Sequence, residues 1–87
     1  MNNKQIFTLC VRRWFDKING NSYYTMRVVC PDGSAEFATI TYGHGYATYV
    51  YNAQKVVEQG GWTSENQKFI VDEVQVMRRK DLHNNGK

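Results

Sequence analysis

The feature that most constrains this chain is the stretch 14–28, where two alternating segments flank an Asn-Gly pair. Asn19-Gly20 predicts a β-hairpin turn, because the central residues of the tightest hairpin turns have positive φ, which Gly and Asn tolerate best. Aromatic residues lie on both sides of this turn, and cross-strand aromatic pairs fix a register. These residues are Trp14, Phe15, Tyr23 and Tyr24. The stretch therefore predicts an antiparallel pair of strands to which the rest of the chain is added.

The neighbouring segments extend the hairpin into a three-stranded antiparallel meander. Apolar residues alternate with polar ones along residues 5–15 and 23–30, which predicts two half-buried strands. Pro31-Asp32-Gly33 predicts a turn into a third strand at residues 35–42. From Tyr46 the apolar residues recur at three- and four-residue intervals, which predicts a helix that ends at Gly60-Gly61.

Residues 68–82 are compatible with two structures. Their β-branched residues favour a strand. A helix with an apolar stripe through Ile70, Val74, Met77 and Leu82 is the alternative. We predict the strand, because one helix cannot cover a meander unless the sheet has further breadth.

The predicted architecture is a single α+β domain over residues 1–87 with the order β-β-β-α-β. One helix packs on one face of the sheet, and the last strand returns by a crossover to lie beside the first. Residues 1–4 and 83–87 are polar and are predicted to be disordered. The helix-covered face is predicted to carry Phe7, Leu9, Val11, Met26, Val28, Ala38 and Ile40.

Charge and cysteine content set only loose limits on function. The net charge of +3 permits nucleic-acid or acidic-protein partners without requiring them. Cys10 and Cys30 are too few for a zinc site, and free thiols are favoured over a cross-sheet disulfide. No long apolar run or signal peptide is recognised, so we expect a cytoplasmic protein. We also expect no cofactor and no metal.

The uncovered face of the sheet is predicted to be aromatic and basic. Arg12, Trp14, Tyr23 and Arg27 are its predicted partner-binding residues, and Arg78-Arg79-Lys80 adds a basic patch. Aromatic and Arg side chains on a sheet are typical of platforms for single-stranded nucleic acid. The alternatives are an ordinary amphipathic face or a homodimer closed by sheet packing.

A second candidate site is Gly43-His44-Gly45, directly before the predicted helix. Glycines at a helix N-terminus let backbone N–H groups bind an anion, and Tyr42 and Tyr46 could stack on a nucleotide. The alternative is a strand-to-helix turn that needs positive φ. Catalysis has no support, since no histidine has an evident partner and the acidic residues are scattered. We therefore predict that the chain is not an enzyme.

The hairpin residues, together with Thr41-Tyr42-Gly43-His44-Gly45, resemble small proteins encoded by bacteriophages and prophages. Those proteins combine a Trp-Phe-Asp and Asn-Gly-Asn hairpin with a Tyr-Gly-Tyr-Gly element and a C-terminal strand that ends in basic residues. Here His44 replaces a tyrosine of the pattern, which changes the chemistry of the Gly-rich element.

The resemblance implies an accessory binding protein that acts in the cytoplasm of an infected or lysogenic bacterium. Such a protein would inhibit a host or defence protein or sequester a small signal molecule. The alternatives are a nucleic-acid-binding module that uses the same sheet face and a virion or assembly component. A DNA mimic is disfavoured, because a charge of +3 has the wrong sign for imitating phosphate.

Overall fold

The computed structural model describes residues 4–85. It contains one mixed four-stranded sheet, one α-helix on one face of the sheet and a C-terminal 3₁₀ helix on the other. The elements are β1 (Gln5–Asp16), β2 (Asn21–Val29), β3 (Ala35–Tyr42), α1 (Tyr46–Gln59), β4 (Gln67–Val76) and the 3₁₀ helix (Arg79–Asn84).

The strand order is β3-β2-β1-β4, with β1 paired antiparallel to β2 and parallel to β4. Helix α1 is the crossover that carries the chain from the β3 edge to the β4 edge. The predicted α+β class, the meander and the position of the last strand beside the first are confirmed. The segment 68–82, for which a strand was predicted and a helix was the alternative, contains both kinds of structure. Residues 67–76 form the strand β4, and the basic residues that follow lead into the 3₁₀ helix.

The hairpin is present, but its turn is longer than the two-residue turn predicted for Asn19-Gly20. Asp16 pairs with Asn21, so four residues form the loop, and Gly20 has a φ of 72° whereas Asn19 does not have positive φ. The Asp16 carboxylate explains the difference. It accepts hydrogen bonds from the backbone N–H of Ile18 and from both the backbone and the side-chain amide of Asn19. Asn19 therefore acts through its side chain rather than through an unusual backbone conformation.

The core lies between α1 and the sheet face that carries Phe7, Leu9 and Val11. The rings of Phe7 and Phe69 stack with centroids 5.3 Å apart, and Trp62 meets Phe7 edge-on at 5.5 Å. Trp62 directly follows the end of α1, where Gly61 has a φ of 97° and the Trp62 N–H donates to the Val57 carbonyl. This left-handed helix end was predicted from Gly60-Gly61, and it delivers the indole to the core.

The prediction that Ile40 lies on the helix-covered face is wrong. A bulge opposite Tyr24–Met26 inserts an extra residue into β3, and this shifts the alternation of the side chains after Ala38. Ile40 consequently lines a cavity with Leu82 rather than packing under α1. The sequence pattern could not show this, because an alternating count assumes an unbroken register.

Residues 83–85 are ordered, so the prediction of disorder is wrong for this part of the range 83–87. Leu82 is fully buried, and its carbonyl accepts a hydrogen bond of 2.6 Å from the Thr25 hydroxyl. The Asn85 side-chain amide donates to the carbonyls of Cys10 (2.7 Å) and Thr25 (3.1 Å). A polar segment with one apolar anchor is thus held on the sheet by hydrogen bonds to backbone. The N-terminal disorder prediction for 1–3 and the C-terminal one for 86–87 lie outside the described residues.

Both cysteines are free. Cys30 is buried, and this burial raises the pKa of its thiol. Cys10 faces the opposite side of the sheet, with its sulfur 3.7 Å from the Arg27 guanidinium. The prediction of free thiols rather than a disulfide agrees with these positions.

The buried Tyr49 predicts a pH effect on stability. Burial, together with the hydrogen bond that the Tyr49 hydroxyl donates to the Glu73 carboxylate, raises the pKa of Tyr49 to about 12. The unfolded chain ionises this tyrosine near pH ~10, so stability is fully present below that pH and is lost as the pH rises towards about 12. Tyr49→Phe should therefore be less stable than the wild type at neutral pH, and the difference should shrink above pH ~10.

Urea unfolding of both proteins across this pH range measures the effect. Tyr51→Phe is the matched control, because Tyr51 is exposed on the same helix and should leave the pH dependence unchanged. A constant difference between Tyr49→Phe and the wild type at every pH would contradict the prediction.

Candidate functional site

Three aromatic side chains form a contiguous row across one end of the sheet. The register places Trp14 opposite Tyr23 and Tyr23 opposite Tyr42. The rings of Trp14 and Tyr23 are near-parallel with centroids 6.0 Å apart, and those of Tyr23 and Tyr42 meet edge-on at 5.8 Å. We call Trp14, Tyr23 and Tyr42 the aromatic row. It lies on the face opposite α1, and Tyr42 is 67% exposed at its outer end.

The basic patch lies at the same end of the sheet. Strand β4 ends at Val76, which is opposite Trp14, so Arg78-Arg79-Lys80 follows directly beside the row. Hydrogen bonds from the Asn19 side chain and from the backbone N–H groups of Asn19 and Ile18 lower the pKa of Asp16, and the positive charge of Arg79 adds a small further lowering. All three basic side chains are exposed. The structure therefore unites the predicted basic patch with Trp14 and Tyr23.

The basic patch is largely uncompensated. Arg78 pairs with Asp81 at 3.4 Å, and within residues 4–85 this is the one salt bridge. An exposed pair of this kind contributes little to stability, about 0–1 kcal/mol. Among the described residues, neither Arg79 nor Lys80 has an acidic partner within salt-bridge distance, which favours their contact with an external anion.

The Gly43-His44-Gly45 element continues from the outer end of the aromatic row. Its glycines have φ of 124° and 100°, and the Gly43 N–H donates to the Ser22 carbonyl at 2.9 Å. These conformations account for the two glycines as a strand-to-helix turn. The element also borders an open cavity of about 290 Å³. The cavity is lined by Phe15, Gly20, Asn21, Ser22, Tyr42, Gly43, His44 and Thr48.

The start of α1 has the features expected for anion binding but holds no side-chain cap. Gly45 occupies the N-cap position, and no acidic residue lies in the first turn. Tyr46 is 61% exposed and lies at the first position of the helix. The first N–H groups of an α-helix have no partner within the helix, and they are a common binding site for water or an anion.

Arg12 and Arg27 do not join the site in the way that the sequence suggested. Arg12 donates to the backbone carbonyl of Asp81 at 3.0 Å, so it helps to hold the 3₁₀ helix. Arg27 is half-buried beside Cys10, and its Nε atom is buried with no hydrogen-bond partner in the part of the chain that the structure describes. The sequence prediction treated the whole face as open, whereas the C-terminal segment covers its middle.

Sequence reasoning missed this cover and the cavity beside it. A cavity of about 360 Å³ lies between the 3₁₀ helix and strands β2 and β3. It is lined by Thr25, Met26, Phe37, Ala38, Thr39, Ile40, Leu82, His83 and Asn85. The available signal was Leu82, a single large aliphatic residue in a polar tail, which is the pattern of a segment anchored by one side chain.

The site and fold together define a small α+β domain with an aromatic and basic surface at one end of its sheet. No protein-family model matches this chain, and no curated protein or solved structure is significantly similar to it. Within residues 4–85, no group of three or more His, Cys, Asp or Glu side chains could hold a metal ion. In the same part of the chain, none of the helices has the length and apolar character needed to cross a bilayer.

Proposed function

We propose that this protein is a non-catalytic accessory binding protein of the kind that phages encode, and that it inhibits a host or defence protein in the bacterial cytoplasm. Its binding surface is the aromatic row together with Arg78-Arg79-Lys80. The observation that carries the proposal is the contact between Trp14, Tyr23 and Tyr42 beside a basic patch that has few acidic partners. The resemblance of the hairpin and the Gly-rich element to phage proteins supplies the biological setting.

The composition of this surface favours a protein partner. Trp, Tyr and Arg are the residues that most often dominate the binding energy of protein interfaces. The rings of Trp14 and Tyr23 stack on each other across two neighbouring strands, so little side-chain entropy is lost when a partner covers them. The adjacent Arg79 and Lys80 favour a partner with an acidic rim, since complementary charges increase the association rate and select the partner.

A second candidate is single-stranded nucleic acid, favoured by the same pairing of aromatic rings with cations. It is the weaker candidate because Arg12 and Arg27, which would extend the basic surface along the sheet, are engaged beneath or beside the 3₁₀ helix. Sequestration of a small nucleotide is a further form of the binding role. It would use the cavity of about 290 Å³ next to Tyr42 and Gly43.

The test is capture of ligands from a bacterial lysate on the immobilised protein, with and without nuclease and at low and moderate salt. We expect a specific protein to be retained after nuclease treatment and at moderate salt. Tyr51→Ala serves as the matched control, because it removes an exposed aromatic ring on the far side of α1 from the sheet, and it should capture the same protein.

The other outcomes separate the candidates. An ultraviolet-absorbing ligand that is lost at moderate salt would replace the proposal with nucleic-acid binding, because phosphate contacts weaken steeply as counterion concentration rises. An absorber that is released only by denaturation would replace it with nucleotide sequestration. Retention of neither a protein nor an absorber would overturn the binding role.

A further inference from the structure

We propose that the outer edge of β4 pairs with the same edge of a second copy of this chain. The two β4 strands would run antiparallel about a two-fold axis at Ile70, joining two four-stranded sheets into one continuous sheet. This inference goes beyond the proposed function and uses a different part of the molecule.

The two edges of the sheet differ in how well they could accept another strand. Strand β3 carries a bulge opposite Tyr24–Met26, and bulges of this kind turn an edge away from further pairing. Strand β4 pairs with β1 over all ten of its residues without a register shift. Its outer edge is therefore long and regular, which is the geometry that accepts a further strand.

The charges on β4 select one register for that pairing. In an antiparallel pair about a two-fold axis, residues opposite each other lie on the same face. Only the residue on the axis faces its own image, and a residue two positions before the axis lies opposite the partner residue two positions after it. With Ile70 opposite the partner's Ile70, Lys68 lies opposite the partner's Asp72, and Asp72 lies opposite the partner's Lys68. Opposite charges directly across two strands stabilise the pair.

The neighbouring registers lose this complementarity. An axis at Asp72 or at Glu73 places two like carboxylates opposite each other, which is destabilising. An axis at Val71 places Ile70 opposite an aspartate, and an axis at Phe69 places Lys68 opposite an isoleucine. The Lys-X-Ile-X-Asp spacing of β4 is thus self-complementary only when the axis lies at Ile70.

Exposed apolar side chains accompany the charges on the same face. Ile70 is 45% exposed and Val74 is 56% exposed on β4, and Ile6 on the neighbouring β1 is 47% exposed. Contact between the two copies of Ile70 would remove apolar surface from water at the centre of the interface. Charge complementarity and an apolar centre therefore both favour a second copy of this chain as the partner of the β4 edge.

Sedimentation equilibrium of the full chain tests the proposal through a charge exchange. We expect the wild type to form dimers, and Lys68→Asp to raise the dimer dissociation constant by roughly tenfold or more, because it places carboxylates opposite each other twice. The double variant Lys68→Asp/Asp72→Lys should restore the dissociation constant to within about threefold of the wild type. Lys17→Asp makes the same change of net charge in the exposed hairpin loop and should leave the dimer unchanged.

Circular dichroism establishes that each variant is folded, and Asp72→Lys provides a second single variant that should weaken the dimer as Lys68→Asp does. A wild type that stays monomeric at the highest soluble concentration would overturn the proposal. So would a dimer that survives both single variants, one that Lys17→Asp weakens equally, or one that the double variant fails to restore.

Discussion

Leu82→Ala is expected to lower the free energy of unfolding by about 2–5 kcal/mol, the usual cost of removing a fully buried leucine side chain. The loss is large for a chain of 87 residues, whose total stability is on the order of 5–15 kcal/mol. It should lower the melting temperature by roughly 10 °C or more. Chemical and thermal unfolding followed by circular dichroism measure both quantities.

The matched control is Met77→Ala, which truncates a side chain of similar size that is 78% exposed. Its effect should stay within about 0.5 kcal/mol, as for most surface substitutions. If the two variants had equal and small effects, the 3₁₀ helix would not be docked through Leu82. The 3₁₀ helix would then not cover Thr25 and Arg12.

Trp14→Ala is expected to weaken binding of the captured partner by about 30-fold or more, which is the threshold usually applied to a hot-spot residue. Tyr23→Ala should have a comparable effect, because the two rings are in contact and each supports the position of the other. Isothermal titration with the purified partner measures the affinities. Tyr51→Ala, which removes an exposed ring from α1, should bind like the wild type.

A structural effect of Trp14→Ala can be separated from an effect on binding. Trp14 is half-buried, so its truncation also costs some stability, and folding must be verified first. Trp14→Phe keeps a ring in the row and should recover part of the affinity. Loss of binding in Tyr51→Ala, with binding retained in Trp14→Ala, would place the binding surface on α1 instead.

The fold could be predicted from local patterns because the strands, the hairpin and the helix each have a distinct pattern of apolar and turn-forming residues. The alternation in residues 5–15, the hairpin at the Asn-Gly pair and the helical stripe after Gly45 agree with the final structure. The strand assignment of β4 followed from the expectation that one helix cannot cover a meander unless the sheet has further breadth. Its position beside β1 was predicted from a crossover return of the last strand. Local propensity and the overall arrangement point in the same direction at these places.

The errors share a physical cause, which is that contacts between distant residues override local patterns. The bulge in β3 displaces Ile40, and nothing in an alternating sequence signals an inserted residue. The polar tail was predicted to be disordered because its order depends on Leu82 and on amide hydrogen bonds from Asn85 to strand carbonyls. Those partners are about 60 or more residues away along the chain.

The candidate site was predicted in part. Trp14 and Tyr23 could be assigned to one face by counting along the strands, and the register adds Tyr42 as the third member of the row. The basic patch was expected to extend this face if the last strand lay beside the first, whereas its position at the Trp14 end depends on where β4 ends relative to Trp14. Arg12 was assigned to the right face, but its role in holding the 3₁₀ helix depends on the same unpredicted segment.

The most direct test of the binding surface uses the two tryptophans of the chain as internal probes. Trp14 lies in the aromatic row, whereas Trp62 packs edge-on against Phe7 in the core. In a nitrogen–proton correlation spectrum of the labelled protein, the account predicts that the captured partner shifts or broadens the Trp14 indole N–H signal and leaves that of Trp62 in place. An unchanged Trp14 signal in the saturated complex would contradict the account.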